Sequence, residues 1–89
     1  MDDMRYNTHY TLKDLVRIAY HFGMDVSKTD VDFVYDPVSI SNYIVLHHYD
    51  SIYPGIIIEP VSETILFHKN GFLSERYRYD SQTHKIIPN

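Results

Sequence analysis

Near the start of the chain, apolar residues recur at the spacing of one helix face, at Leu12, Leu15, Val16, Ala19 and Phe22. Thr11 precedes them as a capping residue, and Asp14 stands where its carboxylate meets the free N–H groups of the first turn. Gly23 then supplies the left-handed residue that ends many helices. The pattern predicts a helix over residues 11–22. Its polar side would carry Lys13, Asp14, Arg17 and His21.

Beyond the helix, β-branched and aromatic residues occur in short runs that turn residues separate. The runs predict strands at 31–35, 43–49, 55–59, 64–68, 72–79 and 85–87. Pro37 ends the first run, the segment 50–54 forms a loop, and Pro60 opens a tight connection. We therefore expect an α+β fold in which one N-terminal helix packs on an antiparallel β-meander of five to six strands.

The dipeptide Asn70-Gly71 is the clearest turn signal, because a type I′ turn needs positive φ at both central positions. A hairpin with this tip places Phe67 opposite Ser74. One of its faces would then carry Ile65, Phe67 and Phe72 together with Lys69, Arg76 and Arg78. We interpret this mixed face as a contact surface or as a face that an oligomer partner covers.

The length of 89 residues allows one domain, and the 44% of apolar residues is that of a globular chain. The absence of cysteine excludes disulfides and favours a reducing, cytoplasmic compartment. No run approaches a membrane span, and the first residues lack the pattern of a signal peptide. We expect residues 1–89 to form one domain in which residues 1–7 are poorly ordered.

Charge is unevenly distributed around the net value of −4. The stretch from Asp25 to Glu63 holds seven acids and one base, Lys28. Basic residues exceed acids only in the last 26 residues, chiefly through Arg76 and Arg78. A duplex-binding protein needs a basic surface, so direct binding of nucleic acid duplexes is not expected.

Catalytic and metal-binding patterns are missing from the sequence. Of the six histidines, none stand four residues apart as helical zinc ligands do, and the neighbours His47 and His48 point to opposite faces of a strand. The three glycines are scattered, which excludes phosphate-binding loops. No nucleophile motif occurs. We expect no enzyme activity, no metal and no cofactor.

Tyrosine is unusually frequent, with nine residues and no tryptophan. Because tyrosine and arginine are enriched at protein interfaces, they supply most of the candidate interface. The aromatic and basic candidates are Tyr35, Tyr49, Tyr53, Phe67, Phe72, Arg76 and Arg78.

Acidic residues complete the candidate interface. Asp30 and Asp32 project from one face of an extended strand about 6 to 7 Å apart, and Asp36 continues that row. Such a row imitates phosphates, and Asp50, Glu59 and Glu63 lie in elements able to extend it. A partner with a basic nucleic-acid channel would attract it.

These features predict a small acidic protein-interaction module that binds a host or cognate protein. Residues with AT-rich codons far outnumber glycine, alanine, arginine and proline, which is typical of an AT-rich bacterial or phage genome. The first hypothesis is a phage-type inhibitor of a nucleic-acid-acting enzyme, such as an anti-CRISPR or anti-restriction antagonist. The alternative is a homodimeric regulatory or structural subunit without catalytic activity.

Overall fold

A computed structural model describes residues 10–89, in which one helix lies on one side of a six-stranded antiparallel sheet. The helix α1 (Leu12–His21) is followed by a short 3-10 turn (Val26–Lys28). The strands are β1 (Thr29–Asp36), β2 (Ser41–His48), β3 (Ile56–Glu59), β4 (Thr64–Lys69), β5 (Phe72–Asp80) and β6 (Lys85–Pro88). They pair in chain order, which confirms the predicted α+β meander. The expectation for residues 1–7 lies outside the described range.

Both ends of α1 form as the sequence predicts. At the start, the Thr11 N–H donates to Asp14 Oδ2 at 2.9 Å, and the Asp14 N–H donates to Thr11 Oγ1 at 3.3 Å. At the end, Gly23 has a φ of 77°, and the Met24 N–H donates to the Ala19 carbonyl at 2.9 Å. These contacts satisfy the backbone groups that a helix leaves free at its termini.

The buried face of the helix is rotated from the predicted one and keeps part of it, since Leu15 and Ala19 are buried and Phe22 packs against the core. Its buried residues are Asp14, Leu15, Ile18 and Ala19. Leu12 and Val16 are exposed, so the predicted stripe is wrong on that side. Asp14, expected on the polar side, is only 4% exposed. The helix is rotated because Asp14 lies one turn before the core residue Ile18, and Tyr79 on β5 offers it a hydroxyl donor.

The core lies between α1 and one face of the sheet. Its sheet residues are Ile44, Leu46, Ile56, Ile58, Ile65 and Tyr79, all at most 1% exposed. Successive side chains of a strand point to opposite faces, so the residues between them face away from α1. Over residues 10–89, no helix has the length and apolar character required to cross a membrane.

The hairpin of β4 and β5 corrects the predicted register. Asn70 and Gly71 both have positive φ, at 55° and 82°, as the turn requires. A bulge between Phe67 and His68 then shifts the pairing, so that Phe67 lies opposite Glu75 and not opposite Ser74. The added residue is Ser74 on β5, because His68 pairs with Leu73 and Phe67 with Glu75. An added residue moves every later side chain of its strand to the opposite face of the sheet.

The consequence of the bulge is a different set of residues on each face. Ile65 now lies opposite Tyr77 on the core side, and the Phe67 ring stacks on Phe22 with 4.8 Å between ring centroids. Arg76 and Arg78 point to the opposite side. The predicted mixed face of Ile65 and Phe67 with these arginines is therefore wrong.

Candidate protein-interaction surface

The sheet face turned away from α1 carries an ordered line of side chains that crosses five strands. Successive antiparallel pairs join one residue from each strand, namely Asp32, Val45, Ile57, Leu66 and Arg76, in that order. Directly opposed side chains share a face, so these five residues form a continuous row. We call it the central row, and we call the face that it crosses the open face.

The middle of the open face is apolar. Val45, Ile57 and Leu66 are half-buried by their neighbours on the sheet, and the pair Val34 and Tyr43 lies beside them. A shallow groove of about 480 Å³ runs between these side chains. The only helix longer than three residues within residues 10–89 packs on the opposite side of the sheet. The apolar middle therefore has no helix over it in the described part of the chain.

Opposite charges border this apolar middle. Alternation along β1 places Asp30, Asp32 and Asp36 on the open face at one edge. Alternation along β5 places Arg76 and Arg78, both exposed, on the same face four strands away. The structure thus brings five of the predicted interface residues onto one surface, with acids and bases at opposite ends.

The acidic row at β1 is partly engaged by local contacts. Asp32 Oδ2 lies 2.8 Å from His47 Nε2, and Asp36 Oδ1 accepts the Val38 N–H at 3.0 Å. Burial disfavours the charged form of His47, but hydrogen bonds to the His48 carbonyl and to Asp32 outweigh it and raise its pKa. Two of the three acids therefore have partners in the described chain.

The other acids of the middle segment do not extend the row along β1, which corrects the idea of an extended row. Glu59 shares the open-face side of β3 with Ile57, two strands away from β1. The Glu59 carboxylate accepts the Val61 and Ser62 N–H groups in the turn after β3. Glu63 lies in the turn between β3 and β4, where its backbone carbonyl accepts the Tyr79 N–H at 2.9 Å. Asp50 lies in the loop after β2.

The predicted aromatic candidates do not share one surface. Tyr49 stacks on His48 at 4.7 Å between centroids, and Tyr53 lies against the hairpin tip at Gly71. Phe72 is 77% exposed beside the same tip. Tyr35 lies on the edge strand β1 opposite Asn42. Tyr49, Tyr53 and Phe72 therefore lie in or beside loops, apart from the central row, and Phe67 packs against the core. Tyr35 lines the edge of the groove on the open face.

The apolar members of the open face escaped the sequence prediction. The sequence places Val45, Ile57 and Leu66 in predicted strands but does not assign them to the interface. The signal available for them was the run Ile56-Ile57-Ile58, because a strand that is apolar on both faces indicates a sheet covered on both sides.

A second group of polar side chains fastens α1 to β5. The Tyr79 hydroxyl and Arg17 Nη1 both donate to Asp14 Oδ1, the latter at 3.1 Å, and His84 Nδ1 lies 3.4 Å from the same oxygen. Burial disfavours the Asp14 carboxylate, yet hydrogen bonds from Tyr79 and Thr11 lower its pKa below the ordinary value. A carboxylate held charged by this many donors is a structural anchor and a poor proton acceptor.

Residues 10–89 contain no group of three or more histidine or acidic side chains placed to hold a metal ion. Comparison of the chain with protein families, curated proteins and solved structures gives no match.

Proposed function

We propose that this chain is a protein-interaction module without catalytic activity, and that it binds protein through the open face. The observation that carries the proposal is the central row, in which Val45, Ile57 and Leu66 form an uncovered apolar centre between Asp32 and Arg76. An apolar centre with a charged rim is the usual anatomy of a protein interface. Leaving such a patch in water is unfavourable, so it is expected to be covered when the protein acts.

The charges of the open face favour protein over nucleic acid as the ligand. A sheet that binds single strands needs a basic track with aromatic rings for base stacking. Here the exposed acids Asp30 and Asp32 occupy one end, and Tyr43 is half-buried. We keep the prediction that the chain does not bind duplexes, and we place it in the cytoplasm because it uses no cysteine.

Such a module could serve two functions, and the charged residues of the open face help to distinguish them. The first is inhibition of a nucleic-acid-acting enzyme by a phage-type antagonist, which Asp30 and Asp32 support as a short acidic row on an edge strand. The second is a homodimeric regulatory or structural subunit. Arg76 and Arg78 on the same face favour the second, because a basic nucleic-acid channel would repel them, whereas the acids of a second copy would attract them.

The proposal that the open face binds protein is tested by two substitutions, one on each side of the sheet. Ile57→Glu places a charge in the apolar centre, whereas Leu12→Glu changes a residue that is 73% exposed on α1. We expect Ile57→Glu to abolish binding to any protein partner or second copy, and Leu12→Glu to leave it unchanged. Binding is measured by calorimetry and sedimentation, with circular dichroism to verify folding. A folded Ile57→Glu variant that binds like the wild type would contradict the proposal.

A further inference from the structure

We infer that the open face binds a second copy of this chain, related to the first by a twofold axis that runs along β3 above Ile57. The inference rests on the proposed function, since it identifies the protein that covers the open face. The order of charges in the central row identifies this protein as a second copy.

The central row is self-complementary about its middle residue. Ile57 lies on β3, and both Asp32 on β1 and Arg76 on β5 lie two strands away from it. Neighbouring strands are about 4.8 Å apart, so each charge lies about 10 Å from the axis on opposite sides. A rotation about β3 exchanges the two sides, and it brings Asp32 over Arg76 of the partner subunit.

The same rotation matches the apolar residues. Ile57 contacts Ile57 of the partner subunit at the axis, and Val45 lies over Leu66 of the partner subunit. Two sheets that pack face to face are about 10 Å apart with nearly aligned strands, which suits side chains of this size. The interface is isologous, so each contact between unlike residues occurs twice.

Charge also decides the direction of the axis. A twofold axis perpendicular to the strands would bring Asp32 over Asp32 of the partner subunit and Arg76 over Arg76 of the partner subunit. Like charges in contact at both ends disfavour that arrangement. The axis along β3 brings together one like pair at the axis itself, Glu59 and Glu59 of the partner subunit, and the Glu59 carboxylate already accepts the Val61 and Ser62 N–H groups.

In the arrangement along β3, Arg78 lies over Val34 of the partner subunit at the edge strand β1. There it stands between Asp32 of the partner subunit and Asp36 of the partner subunit.

The test is charge reversal, followed by sedimentation at low salt. The wild type is expected to sediment at twice the 10.6 kDa of one chain. Asp32→Arg alone places two arginines in contact, and Arg76→Asp alone places two aspartates in contact, so each should weaken dimerization at least about tenfold. An equimolar mixture of the two variants should form a heterodimer, because each contact then joins an arginine to an aspartate. Asp32→Asn removes the charge without reversing it, and should therefore weaken dimerization less than Asp32→Arg.

The outcomes separate this inference from the proposed function. A wild-type dimer, weaker single variants and a restored mixture support the twofold arrangement. A dimer that ignores both reversals overturns it, even if Ile57→Glu still disrupts the dimer. A monomeric wild type overturns it as well, and the proposed function then stands only if another protein binds in a manner that Ile57→Glu abolishes.

Discussion

Asp14 shows most clearly at the residue scale how burial and charge are reconciled in this fold. Its carboxylate is 4% exposed and closes the N-terminal cap of α1 through Thr11. The Tyr79 hydroxyl joins the same carboxylate to β5, 65 positions away in the chain. A buried carboxylate without donors is strongly unfavourable, so this residue type is tolerated only because three neighbours donate to it.

The lowered pKa of Asp14 predicts a pH dependence of stability. A carboxyl group with a lower pKa in the folded than in the unfolded state stabilises the fold above its ordinary pKa of about 3.9, and this contribution is lost as the pH falls through the folded value. We expect the free energy of unfolding of the wild type to fall between about pH 5 and pH 2, and that of Asp14→Asn to fall less. Urea titrations across this range provide the measurement.

The matched control for this prediction is Asp25→Asn. Asp25 caps the short 3-10 turn in full exposure, and hydrogen bonds from Ser27 lower its pKa. Its removal should alter the pH profile less than removal of Asp14, because solvent screens an exposed carboxylate. Equal profiles for the wild type and Asp14→Asn would show that Asp14 has no special role in acid stability.

At the element scale, the local signals predicted the ends of the elements, and long-range packing decided their faces. Thr11 and Gly23 delimit α1, and Asn70-Gly71 forms the hairpin tip, because each signal depends only on its neighbours in the chain. The bulge near Phe67 carried no such signal. The bulge places the rings of Tyr77 and Tyr79 on the core side of β5 and the arginines on the other side. Packing of this kind depends on residues far apart in the chain, so it cannot be predicted from a short window of sequence.

The hairpin tip yields the prediction at this scale. Gly71 has a φ of 82°, and a Cβ atom built on it would lie 2.9 Å from Cδ1 of the Tyr53 ring. We expect Gly71→Ala to destabilise the domain by about 1 kcal/mol or more, because strain in the left-handed region adds to the steric contact. Thermal and urea unfolding measure this loss.

A second background separates the two causes. In Tyr53→Ala the ring is absent, so Gly71→Ala should then cost only its backbone strain and less than in the wild type. An identical loss in both backgrounds would show that the Tyr53 ring moves aside freely. A neutral Gly71→Ala in the wild type would contradict the type I′ geometry of the tip.

At the scale of the whole molecule, the sheet is wider than its single helix. Six strands span about 24 Å, whereas a helix with its side chains is about 10 Å across. The run Ile56-Ile57-Ile58 indicates from sequence alone that both faces are apolar. The alignment of Asp32, Ile57 and Arg76 in one row was not predictable, because it depends on the register of four strand pairs.

This architecture predicts that stability depends on protein concentration. A dimer gains stability by mass action as the protein concentration rises. A hundredfold increase in concentration should therefore raise the Tm of the wild type by about 2 to 8 °C. Ile57→Glu should unfold at a constant Tm, since its monomer cannot associate through the open face. Leu12→Glu should follow the wild type, because α1 lies on the other side of the sheet. A wild-type Tm that is constant over this range would mean that the folded chain does not depend on a second copy for its stability.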